Sequence, residues 1–172
     1  RQNDIAVTID LHEASPEYIT INAIVYHQDA ASIASSATMN VQFNDVQISA
    51  EESPDNWPRL VQLSWIMTDG EGNITKEMDK FVIPEGFVIP AGATAIHGIS
   101  NEYASFWGER LERVLHVFNK SLRKADYIIC HNTWFDINVI YGEMKRMNIP
   151  TTILEKKAYC TMLSGTDLCA IE

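Results

Sequence analysis

The residues best suited to chemistry in this chain lie in the segment Ile128–Ile140. A short apolar run there ends in His131 and Asn132 and continues into an apolar stretch that contains Asp136. A carboxylate among Phe, Ile and Val is costly to bury unless a metal ion or a fixed hydrogen-bond donor compensates its charge. Asp136 is therefore the first candidate for a metal-ligating or catalytic residue. His131 and Asn132 are predicted to orient the turn before it through hydrogen bonds.

The elements around Asp136 indicate how it is positioned. Residues 126–130 are predicted as a short buried strand, and a helix follows from about residue 133 to Met147, before Asn148 and Pro150. Residues 111–122 repeat their apolar side chains at helical spacing. Three earlier strands are predicted to form an antiparallel meander: 41–48, 60–67 and 76–83. The order β-β-β-α-β-α predicts an α/β domain, with a mixed sheet flanked by helices and a site at the strand ends.

The chain is predicted to divide near residue 38. Residues 4–11 and 18–26 have strand patterns and are predicted to form a β-hairpin appendage, followed by a linker that is rich in Ala and Ser. Residues 39–172 then form the main domain. The appendage strands are candidates for covering a sheet edge, either in the same chain or in a partner protein or second copy.

Composition narrows the class of protein. The 172 residues are 46% hydrophobic and carry a formal net charge of −10, which disfavours a broad basic face for duplex DNA. An acidic chain still suits a site in which carboxylates hold a metal. No apolar run approaches the roughly 18 residues that span a membrane, so no membrane partner is expected. The odd set of cysteines, without zinc-type spacing, predicts a reduced, cytoplasmic protein: Cys130, Cys160 and Cys169.

Four stretches, in order along residues 40–170, resemble the DnaQ-like, DEDDh-type 3′–5′ exonucleases. They are Arg59-Leu-Val-Gln-Leu-Ser-Trp65, Ala95-Ile-His-Gly-Ile-Ser100, the segment from Ala125 to Asp136, and the segment from Tyr159 to Cys169. The resemblance implies an RNase H-like fold and hydrolysis of nucleotides from a single-stranded DNA or RNA 3′ end. It also implies two Mg²⁺ or Mn²⁺ ions held by carboxylates around the terminal phosphodiester.

The resemblance assigns roles to several residues. Asp136 matches the second-motif Asp and becomes a metal ligand. His97 and Gly98 match the loop that meets the terminal nucleotide, and an ordinary loop histidine is an equal alternative for His97. Asn132 and Trp134 are assigned to substrate binding, with Trp134 a candidate for stacking on a base.

The first motif of the family, Asp-x-Glu on the first strand, is not intact in this chain. Three alignments place its carboxylate positions at Asn44 and Val46, at Asp45 and Gln47, or at Ala37 and Met39. The register of Asp45 and Gln47 is favoured because its spacing to Arg59 is ordinary for the family. Asp45 then becomes a catalytic metal ligand. Gln47 becomes a catalytic-site ligand weakened by its lack of charge, because hard divalent ions prefer carboxylates.

Two further features qualify this interpretation. Asp69-Gly70-Glu71 has the Asp-x-Glu pattern but lies in a predicted hairpin turn, so it is interpreted as a turn. The third motif, which supplies a general-base His and a last Asp, is absent before Glu172. We therefore expect either a fragment of a longer active enzyme or a catalytically inactive pseudo-exonuclease that serves as a nucleic-acid-binding or scaffolding module.

Overall fold

The computed structural model describes residues 18–26 and 49–169. These ranges contain five strands and five helices. The strands are β1 (Tyr18–Tyr26), β2 (Arg59–Thr68), β3 (Ile74–Phe81), β4 (Tyr127–Cys130) and β5 (Lys157–Cys160). The helices are α1 (Ala91–His97), α2 (Asn101–Trp107), α3 (Leu111–Leu122), α4 (Thr133–Arg146) and α5 (Thr161–Cys169). None of the helices in the described ranges is long and apolar enough to cross a membrane.

The strands form one mixed sheet in the order β3-β2-β1-β4-β5. Strands β3, β2 and β1 are antiparallel neighbours, whereas β4 runs parallel to both β1 and β5. The antiparallel part and the parallel part therefore meet at β1. This arrangement confirms the predicted fold class, a mixed sheet with an antiparallel meander and parallel strands, flanked by helices.

The position of β1 differs from the predicted arrangement. The sequence pattern assigned Tyr18–Tyr26 to an appendage and residues 41–48 to the first strand of the meander, but Tyr18–Tyr26 lies between β2 and β4. In this position β1 pairs with β2 from Tyr18 to Tyr26 and with β4 from Tyr18 to Thr20. An intermolecular contact through β1 gains no support, because the strand has a partner from its own chain on each side. Residues 1–17 and 27–48, including the other predicted N-terminal strands, lie outside the described residues.

The main core lies between the sheet and helices α3 and α4. Along β2, Leu63, Trp65 and Met67 alternate with more exposed residues, so one face of the strand is buried. Helix α3 turns its apolar stripe towards this face, and the Phe118 ring meets the Trp65 ring edge to face at 5.4 Å. The helical spacing recognised in residues 111–122 is thus confirmed as the side of α3 that packs on the core.

Helices α2 and α3 are joined by a close backbone approach at Gly108. A Cβ atom at this position would lie 2.2 Å from the carbonyl oxygen of Ala104 and 2.8 Å from the backbone nitrogen of Ile83. The lack of a side chain lets the next residue, Glu109, form a parallel bridge with Val82 just after β3. The α2–α3 segment is therefore held against the end of the meander.

Candidate functional site

Asp136 lies in the first turn of α4, directly after β4 and its connecting turn. Its backbone N–H donates to the carbonyl oxygen of Asn132 at 3.1 Å, and the residue is only 8% exposed. A carboxylate in the first turn of a helix is favoured by the positive end of the helix dipole. Helix α4 contacts β1, β2, β4 and β5, so the helix as a whole packs across the sheet. The structure thus gives Asp136 a buried position at strand ends, and its role as a metal ligand stays a prediction.

The turn between β4 and α4 is fixed by hydrogen bonds, as the sequence indicated. Asn132 starts the helix through its carbonyl oxygen, and its side chain forms no capping hydrogen bond. The Thr133 hydroxyl donates to the carbonyl oxygen of Tyr159 at 3.0 Å, which ties the start of α4 to β5. His131 Nδ1 lies 3.3 Å from the Thr161 hydroxyl at the start of α5. The starts of α4 and α5 are therefore linked to each other beside the strand ends.

Trp134 offers an exposed aromatic ring next to this turn. It is 39% exposed, and its ring lies 4.8 Å from the buried Trp57 ring in an edge-to-face arrangement. Trp57 also lies 6.0 Å from the Phe135 ring, so the loop before β2 folds back onto the start of α4. The ring of Trp134 is therefore held from one side and accessible from the other, although its role in substrate binding stays a prediction.

The sequence analysis placed His97 and Gly98 in a loop, whereas the structure places His97 at the end of α1 and Gly98 at its C-cap. Gly98 has a φ of 78°, the left-handed conformation that glycine adopts most easily, and its N–H donates to the Thr94 carbonyl oxygen. His97 Nδ1 accepts the Ile99 N–H at 3.1 Å, and no described residue bonds the buried Nε2. Burial lowers the pKa of His97. Contact of this helix end with a substrate stays a prediction.

Asn138 is a buried residue whose importance the sequence analysis missed. Its Oδ1 accepts the Ala50 N–H at 2.7 Å, and its Nδ2 donates to the Trp134 carbonyl oxygen at 2.8 Å. Ala50 follows the predicted first-motif positions Asp45 and Gln47 closely in the sequence. The Asn138 side chain therefore fixes the chain at Ala50 to the helix that carries Asp136. The available signal was an amide embedded in an apolar helical stretch, two residues after Asp136.

Glu143 is a second missed residue and is fully buried. One of its carboxylate oxygens accepts Arg59 Nε at 2.9 Å and the Leu60 N–H at 2.8 Å, and the other lies 3.0 Å from Arg146 Nη1. Arg146 also donates to two carbonyl oxygens of the 54–57 loop. Glu143 lies seven residues after Asp136, on the same face of α4, and this spacing was the signal in the sequence. The cluster fixes the start of β2 and the preceding loop to α4.

The other Asp-x-Glu pattern is a turn, as predicted. The Asp69 carboxylate accepts the backbone N–H groups of Glu71 and Asn73 at 3.0 and 2.9 Å, and Asn73 also donates from its side-chain amide. These hydrogen bonds, led by that of the Asn73 side chain, lower the pKa of Asp69. The carboxylate therefore stabilises the β2–β3 hairpin.

The described residues do not by themselves fit a metal site with several carboxylate ligands. Within residues 18–26 and 49–169, no group of three or more His, Cys, Asp or Glu side chains could hold a metal ion. Of the predicted ligands, Asp136 is described, whereas Asp45 and Gln47 fall outside the described residues. A hard divalent ion needs several oxygen ligands, so Asp136 would have to be joined by groups from elsewhere.

Comparisons with known proteins agree with this geometry. The family model described as Exonuclease (RNase_T) matches residues 52–164. An apo structure of exonuclease I is 15% identical, with a TM-score of 0.65, and the match covers 91% of this chain and 31% of that one. E. coli exonuclease I in complex with a 5cy-dA13 oligonucleotide gives 15% identity and a TM-score of 0.66, covering 91% and 30%. An ExoI/SSB-Ct complex gives 16% identity and a TM-score of 0.63, covering 90% and 30%.

These structural matches establish a shared fold, and the chain spans less than a third of the length of those exonuclease I chains. No curated protein matches the sequence significantly. The family match covers well over half of the chain, including the segment that carries Asp136. The chain therefore belongs to the Exonuclease (RNase_T) family, the DnaQ-like 3′–5′ exonucleases of RNase H-like fold.

Proposed function

We propose that this chain is the nuclease domain of an enzyme that removes nucleotides from the 3′ end of a single strand of DNA or RNA by phosphodiester hydrolysis. The observation that carries the proposal is the buried carboxylate of Asp136, located in the first turn of α4 within a domain of the exonuclease family. Structures of exonuclease I with dA13, dA16 and dT13 oligonucleotides share this fold, which supports a single strand as the substrate.

The proposal includes a requirement for Mg²⁺ or Mn²⁺. Asp136 and Asp45 are the proposed ligands, and Gln47 is a neutral oxygen ligand that binds more weakly than the usual carboxylate. When bound, such ions polarise the phosphodiester and lower the pKa of a bound water. The described residues support one contribution of the protein to this chemistry, which is the placement of Asp136. The Asn132 carbonyl starts its helix, and Asn138 and Glu143 fix that helix to the chain around residue 50 and to β2.

The proposed substrate contacts lie at the start of α4 and at the end of α1. The exposed ring of Trp134 offers one face for stacking on a base, because Trp57 supports it from the other side. Asn132 adjoins this ring in the same turn. His97 and Gly98 are proposed to meet the terminal nucleotide through backbone groups of this helix end, because the Nε2 atom of His97 is buried.

A nuclease time course with a 5′-labelled single strand and Mn²⁺ tests the proposal. We expect a ladder of products shortened from the 3′ end. Asp136→Asn should lower the rate by about 100-fold or more, because even residues that only support metal ligands contribute about 10–100-fold. Glu77→Gln, a change to an exposed carboxylate on β3, is the matched control and should leave the rate unchanged. Full activity of Asp136→Asn would contradict the assignment of this residue.

Absence of turnover in the unchanged chain would favour the pseudo-exonuclease alternative. A binding assay then tests whether the chain still binds a single strand without hydrolysing it. Fluorescence anisotropy of a labelled oligonucleotide measures affinity independently of hydrolysis. Stacking contributes about 1–3 kcal/mol per base, so Trp134→Ala should weaken binding by about 5–150-fold. Trp107→Ala, at an exposed ring on α2, is the matched control. Equal affinities for both variants would refute stacking on Trp134.

A further inference from the structure

Two cysteines face each other at the ends of β4 and β5. The strands are parallel, and Cys130 and Cys160 are direct partners in the register. Neither cysteine is part of a disulfide. Partners on adjacent strands lie about 4.8 Å apart and project to the same face of the sheet, within the range of about 4.4–6.8 Å between Cα atoms that a disulfide spans. The separation between the two Cα atoms therefore lies within the range that a disulfide spans.

The two thiols differ in accessibility. Cys130 is buried within the main core at 1% exposure, whereas Cys160 is half-buried. The sulfur of Cys160 lies 3.7 Å from the carbonyl oxygen of His131, the residue that follows Cys130. Cys160 is thus the thiol that a reagent from solvent reaches first, and its sulfur already lies against the chain next to Cys130.

The surroundings of Cys160 favour its thiolate. Burial raises the pKa of the Cys160 thiol, but hydrogen bonds from Leu163, Thr133 and Met162 outweigh this effect, so the pKa lies below its ordinary value. These donors belong to the first turns of α4 and α5. Two helix starts therefore converge on one partly exposed sulfur, an environment that typically makes a cysteine nucleophilic.

We propose that Cys130 and Cys160 form a reactive dithiol, which low-molecular-weight disulfides such as oxidised glutathione convert into an intramolecular disulfide. The Cys160 thiolate attacks one sulfur of the reagent, forming a mixed disulfide and releasing one glutathione thiolate. Cys130 then attacks the Cys160 sulfur, and its proton passes to the departing glutathione thiolate, which leaves as the second glutathione. The two protein thiols lose two electrons in total, and one oxidised glutathione becomes two reduced molecules.

The new bond would connect the ends of β4 and β5, from which α4 and α5 start. It would therefore lie in the turn that leads to Asp136, six residues after Cys130. The reaction needs neither substrate nor metal, so its test is independent of the proposed nuclease activity.

The test is mass spectrometry of the 172-residue chain after incubation with oxidised glutathione and alkylation of the remaining thiols. We expect the loss of two alkylatable thiols, no retained glutathione, and a peptide cross-link between Cys130 and Cys160 that dithiothreitol reverses. Cys130→Ala should stop at a glutathione adduct on Cys160. Cys169→Ser is the matched control and should still form the cross-link.

Three results would overturn the proposal: a stable glutathione adduct on the unchanged chain, a cross-link from Cys160 to Cys169, or a Cys160 that does not react. The decisive readout comes from the unchanged chain, so it does not depend on whether the variants fold. Far-ultraviolet circular dichroism of Cys130→Ala shows whether its adduct reports on a folded domain.

Discussion

Replacing Glu143 by Gln is the sharpest test of how α4 is held in place. Gln has nearly the same size and retains a carbonyl oxygen, so the bond from the Leu60 N–H can persist. The substitution removes the negative charge between Arg59 and Arg146, which lie 2.9 and 3.0 Å from the carboxylate. It also brings a side-chain NH2 group, which can only donate, towards one of these guanidinium groups. The expected result is a folded but much less stable domain.

The magnitude follows from burial. The Glu143 side chain is fully buried, whereas the side chains of Arg59 and Arg146 are 27% and 15% exposed. Breaking a buried ion pair costs about 3–5 kcal/mol, and partial exposure of the arginines reduces this value through solvent screening. We expect the free energy of unfolding to fall by about 2–4 kcal/mol. For a domain of this size, the melting temperature should fall by about 5–15 °C.

Urea unfolding followed by tryptophan fluorescence measures this change. Glu112→Gln is the matched control, because Glu112 is an exposed carboxylate that pairs with His116 across one helical turn of α3. Surface pairs of this kind contribute about 0–1 kcal/mol. If Glu143→Gln lost no more stability than Glu112→Gln, the buried cluster would not hold α4 and our account of Asp136 placement would be refuted. A double-mutant cycle that combines Glu143→Gln with Arg146→Met measures the coupling energy between these two side chains.

Two other predictions concern stability alone. Gly108→Ala should lower the free energy of unfolding by about 1–3 kcal/mol or more, because the new Cβ would meet backbone atoms. Gly165→Ala is the control, because a Cβ there has open space and the change should be neutral or stabilising. Thermal melts compare the two variants. The hydrogen bond from Lys80 lowers the pKa of Glu109, and this effect is larger than the opposing effect of burial. The ionised Glu109 carboxylate therefore stabilises the fold above pH 4.5, the ordinary pKa, and this stabilisation is lost as the pH falls through the lowered pKa. Unfolding curves of Glu109→Gln and the unchanged chain should converge in acid, and a constant difference across pH would contradict this.

Much of the fold could be predicted from local patterns. Alternation of apolar residues in β2, helical spacing in α3, and the apolar run before Asp136 each depend on neighbours a few residues apart. The Asp69 turn was recognised for the same reason, since its hydrogen bonds stay within four residues. Such patterns are visible in the sequence because the side chains on the buried face of a strand or helix recur at the period of that element.

The place of β1 in the sheet could not be predicted in this way. Residues 18–26 and 41–48 both have strand patterns, and nothing local distinguishes the central strand from its alternative. The choice depends on which strand can pair with β2 on one edge and β4 on the other, and these partners lie tens of residues away along the chain. Strand order is set by shared pairing and burial, which the periodicity of one segment does not encode.

The sequence by itself determined the family, the strand–turn–helix unit that carries Asp136, and the residue types available for chemistry. The tertiary structure alone decided what surrounds that unit. It brought Arg59 and the Leu60 N–H to Glu143 across 84 and 83 residues, and it set Cys130 beside Cys160. The physical reason is that a buried charge or thiol is defined by its partners in space. Those partners meet only when distant segments bury a common surface.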